Sequence, residues 1–255
     1  LLTICNFNSF LKFRYYIYWE MRKIFFILFL LILSSINIFS QATRINLAGY
    51  DDVNNHFGFL LGLHSSYYRI NHSSDFISNN FNDLHSIHST SMPGFKLGFI
   101  SDFKLYYPFD LRTLLQVSFS EFRMDYYNVD GTVFSDTRPA TFLETPILLK
   151  YKSKRRKNHR MFLIGGFKPS LEIGAKNKDE AGKDILDLKS FDVSLEIGFG
   201  SDLFFQLFKL SPEIRYSRGL RNMLNKKKLN EYNIPIDKIV VHNISFFFTF
   251  EGGPK

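Results

Sequence analysis

The chain has 255 residues, 45% apolar and 17% aromatic, with a formal charge of +8; this suffices for one sizeable domain and excludes disorder as an overall description. Its 30 Phe and 13 Tyr against one Trp exceed what a soluble core requires, so a surface facing an apolar medium is expected. The one cysteine, Cys5, precedes an apolar export segment, which excludes disulfides, thiol catalysis, Cys-bound metals and a lipidated-cysteine anchor from the mature chain.

Residues 1–20 contain no Met and read as an over-extended gene start that is not translated. The basic start Met21-Arg22-Lys23, the apolar run Ile24 to Leu33 and the small Ser40 before Gln41 predict a signal peptide over 21–40. A retained membrane helix needs about 20 apolar residues, roughly twice this run. Cleavage near Ser40/Gln41 removes Lys12, Arg14, Glu20, Arg22 and Lys23, which leaves 215 residues and a charge of +5. The remaining basic residues form no long stripe, so a nucleic-acid partner is not expected.

A periplasmic N-terminal lead over 41–56, a barrel over 57–250 and a short tail over 251–255 follow. From Phe57 onward the hydrophobic period is two. About eight strands are expected, near 57–70, 94–107, 111–124, 140–152, 160–174, 190–204, 207–218 and 238–250. Most exceed the usual five or six residues and reach the roughly 9–11 that a tilted spanning strand needs. The connections near 71–93, 125–139, 175–189 and 219–237 are long and polar, whereas those between them are short. In a meander this puts all long loops at one end and all short turns at the other, as in outer-membrane barrels. The fold class expected is therefore all-β: a membrane-spanning, antiparallel, up-and-down β-barrel.

Phe191, Val193, Leu195, Ile197 and Phe199 form one face of a strand, as do Ile244, Phe246, Phe248 and Phe250, and both sets are expected to face lipid. The opposite faces carry Lys96, Asp102, Lys104, Glu144, Lys150, Lys168, Glu172, Asp192, Glu196, Lys209, Glu213 and Arg215, with both signs near balance. Eight strands enclose a lumen just wide enough for side chains, so these charges predict a paired interior network and not an open pore. A soluble lipocalin-like barrel would place the apolar face inside instead. Which of Glu196 and Glu213 meets Lys209 or Arg215 stays open, because shear is not readable from sequence.

Enzyme chemistry has few candidates. His64 and Ser66 share a face while Ser65 points away, and His242 adjoins Asn243; a polar interior pair accounts for His64 and Ser66 equally well. His85 and His88, with His72 nearby, lie in a Ser/Asn-rich loop without an accompanying Glu or Cys, which suits solvated loop histidines better than a metal site. No catalytic residue, cofactor, metal or small-molecule substrate is expected. The densest charge run, Lys152-Ser153-Lys154-Arg155-Arg156-Lys157-Asn158-His159-Arg160, falls on a short turn. Lys152, Lys154, Arg155, Arg156, Lys157 and Arg160 are its candidate partner-binding residues, for an acidic partner or for lipid phosphate. Lys226-Lys227-Lys228 falls on a long loop, toward surface lipid or solvent.

An ordered series of short motifs runs through most of the mature chain. It includes Asn46-Leu47 through Tyr50-Asp51-Asp52 to His56-Phe57-Gly58-Phe59, Pro93-Gly94-Phe95-Lys96-Leu97-Gly98 with Ser101-Asp102, and Phe142-Leu143-Glu144-Thr145-Pro146-Ile147-Leu148-Leu149-Lys150-Tyr151-Lys152-Ser153-Lys154. It continues with Leu163-Ile164-Gly165-Gly166, Phe191-Asp192 to Glu196-Ile197-Gly198, and Lys209-Leu210-Ser211-Pro212-Glu213-Ile214 before Ser217-Arg218-Gly219-Leu220. In this series the chain resembles the PorT family of outer-membrane proteins associated with type IX secretion and gliding motility. The resemblance implies a non-enzymatic component of a protein export apparatus in the outer membrane of a Gram-negative bacterium, acting through contacts with other secretion proteins. Short turns and both termini would be periplasmic and the long loops extracellular. A generic small barrel serving membrane integrity or surface binding is the alternative, and a barrel-type lipid-modifying enzyme a more distant one.

Overall fold

The computed structural model describes residues 44–77, 84–173, 188–225 and 234–253. The chain divides after Arg44, and the unit Ile45–Lys255 carries every strand among the described residues. The expected signal peptide over 21–40 and the Lys226–Lys228 run lie outside the described residues.

Alternation produces ten antiparallel strands: β1 (Asn55–His72), β2 (Leu84–Thr90), β3 (Met92–Tyr106), β4 (Phe109–Asn128), β5 (Val133–Glu144), β6 (Ile147–Lys152), β7 (His159–Glu172), β8 (Phe191–Phe204), β9 (Phe208–Gly219) and β10 (Ile236–Gly252). They form eight staves. β2 continues the line of β3 along β4, interrupted at Ser91. β5 and β6 are two halves of one stave that keep the same register on β4, Gln116 opposite Glu144 and Thr113 opposite Ile147. The break falls at Thr145–Pro146 because Pro146 has no N–H to give the ladder. Its carbonyl still accepts from Leu114 N at 3.0 Å, and Thr145 N donates to Pro169 O at 3.0 Å. β1 pairs with both β3 and β10, and β4 pairs with β5 and β6, which pair with β7, so the sheet closes into a ring; β2 lies on it through β4 alone.

Two connections differ from expectation. The stretch 125–139 is a hairpin, not a long loop: β4 runs up to Asn128, β5 starts at Val133, and the turn carries Gly131 at φ 85°. The stretch 71–93 holds β2. In both cases Ser, Asp and Asn mimic loop composition, yet cross-strand pairs such as Tyr126 opposite Phe134 extend the sheet past the apolar belt.

The two faces of the wall are chemically opposite. Outward, Phe191, Leu195, Ile197, Phe199, Ile244, Phe246 and Phe248 are exposed, with Val193 and Phe250 half-buried. Inward, the charged residues are buried, which inverts the layout of a soluble domain. The lumen also holds apolar layers that alternation alone did not reveal. Leu60, Ile100, Leu114, Leu148, Phe162, Ile164 and Phe247 form one cluster. A second, toward the long-loop end, gathers Tyr68, Phe122, Met124, Phe142 and Ile239 with Leu188, Met223 and Leu224 from the connections. Inward glycines make the room for the large side chains: a Cβ on Gly200 would lie 2.5 Å from the Phe162 ring, and one on Gly62 2.5 Å from Phe247.

Phe199→Arg near mid-wall, where Phe199 lies opposite Ile214 and Leu163, is expected to cost about 2–4 kcal/mol of barrel stability in vesicles, while Phe199→Met should be mild. Urea unfolding of the reconstituted barrel measures both; an arginine without cost would mean that this face does not meet hydrocarbon.

Candidate functional site: a charged lumen capped at the short-turn end

Strand parity directs alternate residues of every stave into one narrow lumen, where, among the described residues, eight buried cations face eight buried carboxylates, so its net charge is small. Arg112 of β4 is the hub. Its Nε and Nη2 donate to the two Asp102 oxygens at 2.6 and 2.7 Å, Nη1 donates to Glu213, and Nη2 reaches Glu251 at 3.2 Å. Toward the short-turn end, Asp202 accepts from Lys150 at 3.0 Å and pairs with Arg160 at 2.9 Å. Lys209 pairs with Glu251 at 2.7 Å. Further along, Arg215 joins Glu213 at 2.6 Å and Glu196 at 3.0 Å, so it takes both acids whose partner was open. Glu144 collects Lys96 and Lys168, each at 3.1 Å, and the Gln116 amide at 2.5 Å. Glu172, half-buried, pairs with Arg138 at 2.5 Å.

Each such pair is worthwhile only because neighbours satisfy the remaining lone pairs, since desolvating an isolated ion costs several kcal/mol. Asp192 is less complete. It is buried, accepts from Ser194 at 3.4 Å, and leaves Oδ1 without a partner beside a cavity of about 30 Å³, room for a water molecule. Lys104, placed inside by alternation, keeps its register opposite Asp110 but is exposed at the short-turn rim, where its Nζ donates to the Asp51 carbonyl at 2.6 Å.

The lead closes the short-turn end. Tyr50, in a single 3-10 turn Tyr50–Asp52, is buried; its ring stacks on His56 at 3.8 Å and meets Phe204 edge-on. Its hydroxyl donates to Glu251 Oε2 at 2.5 Å, and burial together with the Glu251 charge raises its pKa far above the ordinary range. Asp51 pairs with Arg160 at 2.7 Å; burial raises its pKa, but the Arg160 guanidinium outweighs this and holds the carboxyl below 3.8.

These contacts revise the basic turn. Lys152 is buried against Asp110 at 2.6 Å, and Arg160 is buried between Asp202 and Asp51, so neither is a free partner-binding cation. The reason is parity: both sit on the inward face at strand ends. Arg155 is committed to the lead, donating to the Leu47 carbonyl at 3.0 Å and to the Asn46 carbonyl, with its guanidinium 3.7 Å over Phe204. Lys154, Arg156 and Lys157 remain exposed.

The other histidine candidates separate. His64 Nε2 bonds Ser120 Oγ at 3.0 Å, while Ser66 Oγ accepts from Asn243 at 2.7 Å, so His64 and Ser66 are not a pair. His85 and His88 are both exposed on β2; His85 falls at an irregularity in the β2–β4 register, and His88 meets the Tyr127 ring edge-on. His72 stacks on Phe76. Sequence reasoning missed Arg112, Asp202, Asp110 and Tyr50 as parts of this network; Glu251 was legible, since alternation puts it on the polar face opposite Phe250. Asp202 continues the parity of Asp192 and Glu196, so that signal was present. Arg112 was masked by β4, which carries apolar residues on both faces around Leu111, Leu114 and Leu115.

A closed ring with an apolar outside and a filled, charged inside defines an outer-membrane β-barrel. The chain belongs to the family described as outer membrane protein beta-barrel domain, whose sequence model matches residues 39–225. Similar solved structures include Neisserial surface protein A, 11% identical over 75% of this chain and 95% of that one, with a TM-score of 0.39. OprG of Pseudomonas aeruginosa is 11% identical over 78% and 96%, TM-score 0.42. Ail of Yersinia pestis, solved with a heparin analogue, is 11% identical over 78% and 99%, TM-score 0.35. No curated protein sequence matches the chain.

Removing Arg112 leaves Asp102, Glu213 and Glu251 short of a cation, so Arg112→Ala is expected to cost about 3–5 kcal/mol. Adding Asp102→Asn should recover part of it, a coupling of at least about 1 kcal/mol in a double-mutant cycle. Strict additivity in urea titrations would dissolve the network.

Proposed function

We propose that this barrel is a non-enzymatic component of type IX protein export that works as a docking piece in the outer membrane, through contacts made at its short-turn end. The observation that carries the reading is the packed lumen. Ion pairs fill it, Tyr50 stops one end, and an apolar cluster with Leu188, Met223 and Leu224 occupies the other. A barrel so filled offers its ends and its wall for work, not a passage. The short-turn end carries an ordered lead beside the three exposed cations Lys154, Arg156 and Lys157, a surface suited to an acidic partner. In this reading short turns and termini face the periplasm and the long connections face outward, and the pathway itself rests on the PorT resemblance.

One observation favours a second reading, surface binding. The β4–β5 hairpin exposes Tyr127, Val129, Val133 and Phe134 near its tip, more apolar surface than a merely solvated turn needs.

Loss of the gene should abolish export of secreted cargo. Changing Lys154, Arg156 and Lys157 together to Gln should weaken export while the barrel stays inserted and heat-modifiable, because exposed, unpaired cations add little to stability. Shortening the hairpin tip should matter less. Normal export without the gene, or a defect confined to the tip variant, would replace the secretion reading with surface binding.

A further inference from the structure

The outer wall near the long-loop end carries a second charge cluster, separate from the lumen and from the basic turn. His242 of β10 shares the outward parity of Ile244 and Phe246, and its cross-strand partners are Tyr67 of β1 and Arg218 of β9. The Tyr216 hydroxyl bonds its Nδ1 at 2.6 Å, and the Tyr67 ring stacks on it at 5.3 Å. These two rings leave His242 only 2% exposed, with Nε2 lacking any hydrogen-bond partner. When the Tyr216 hydroxyl donates to Nδ1, the neutral ring carries its proton on Nε2, a buried donor in want of an acceptor.

Arg69, two residues beyond Tyr67 and thus on the same face, and Arg218 both act electrostatically on His242. Both arginines are exposed, and neither has an ion-pair partner among the described residues. Guanidiniums gathered at a histidine without a carboxylate repel one another, and the repulsion grows where lipid lowers the dielectric. An anion relieves it. Arginine pairs suit phosphate in particular, through paired N–H donors. Immediately below the cluster the wall turns apolar, with Leu63, Ile214 and Ile244 exposed. Tyrosines at such a boundary mark headgroup level.

We infer that Arg69, Arg218 and His242 hold the phosphate of an anionic lipid in the leaflet at the long-loop end, with its acyl chains along the apolar wall below. The charges choose phosphate, and the continuity with that wall chooses a lipid over a soluble anion.

The test uses the full barrel in phosphatidylcholine nanodiscs doped with bisphosphorylated lipid A or its dephosphorylated counterpart, and counts retained lipid by native mass spectrometry. The wild-type barrel should retain the phosphorylated form preferentially. Arg69→Gln with Arg218→Gln should lower retention by a factor of about thirty, from roughly 1 kcal/mol per surface cation. His242→Phe, which keeps the ring stack, should lower it less, and heat-modifiability reports that each variant is folded. Equal retention by the double variant, or equal retention of dephosphorylated lipid, would overturn the inference. So would displacement by millimolar inorganic phosphate, the mark of a free-anion site, or loss of a co-purifying acidic protein with lipid retention unchanged.

Discussion

Hydrocarbon offers backbone N–H and C=O groups no partner, so a sheet that crosses it must close on itself. In this chain closure is made by the pairing of β1 with β10, which unites the first and last strands over fifteen residue pairs from Gly58 opposite Glu251 to His72 opposite Ile236. With eight staves the enclosed space is only as wide as side chains can fill. Closure therefore dictates the rest: outward positions must be apolar, inward positions must pack, and any charge that parity sends inward must find its complement there.

The lumen meets that demand with a ladder of shared ions instead of isolated pairs. Glu213 lies between Arg112 and Arg215, Asp202 between Lys150 and Arg160, and Glu144 between Lys96 and Lys168. Sharing satisfies more lone pairs per ion, which is what makes burial of charge tolerable. The same ladder reaches the short-turn end through Glu251 and Arg160, which hold Tyr50 and Asp51 of the lead. The cap is thus continuous with the core.

Much of this was legible in the sequence because a period of two has direct physical meaning. The set from Phe191 to Phe199 and the set from Ile244 to Phe250 lie outward, and every interior charge expected, except Lys104, lies inward or half-buried on the inner face. What was not legible depends on information that parity lacks. Register made Arg112 the hub and gave Arg215 to both Glu196 and Glu213. Position at a strand end turned Lys152 and Arg160 from surface cations into buried ones. Tyr50 became a plug through a single 3-10 turn, and polar residues near 125–139 became a hairpin because sheet pairing there overrides loop composition.

Function follows from what a filled barrel leaves available, namely its two ends and its wall. The most direct test of the packed lumen is ion conductance of the purified barrel, with its lead intact, in planar lipid bilayers. The ladder from Tyr50 to the apolar cluster predicts a silent membrane after verified insertion. Sustained unit conductance steps that scale with the amount of folded barrel would contradict it.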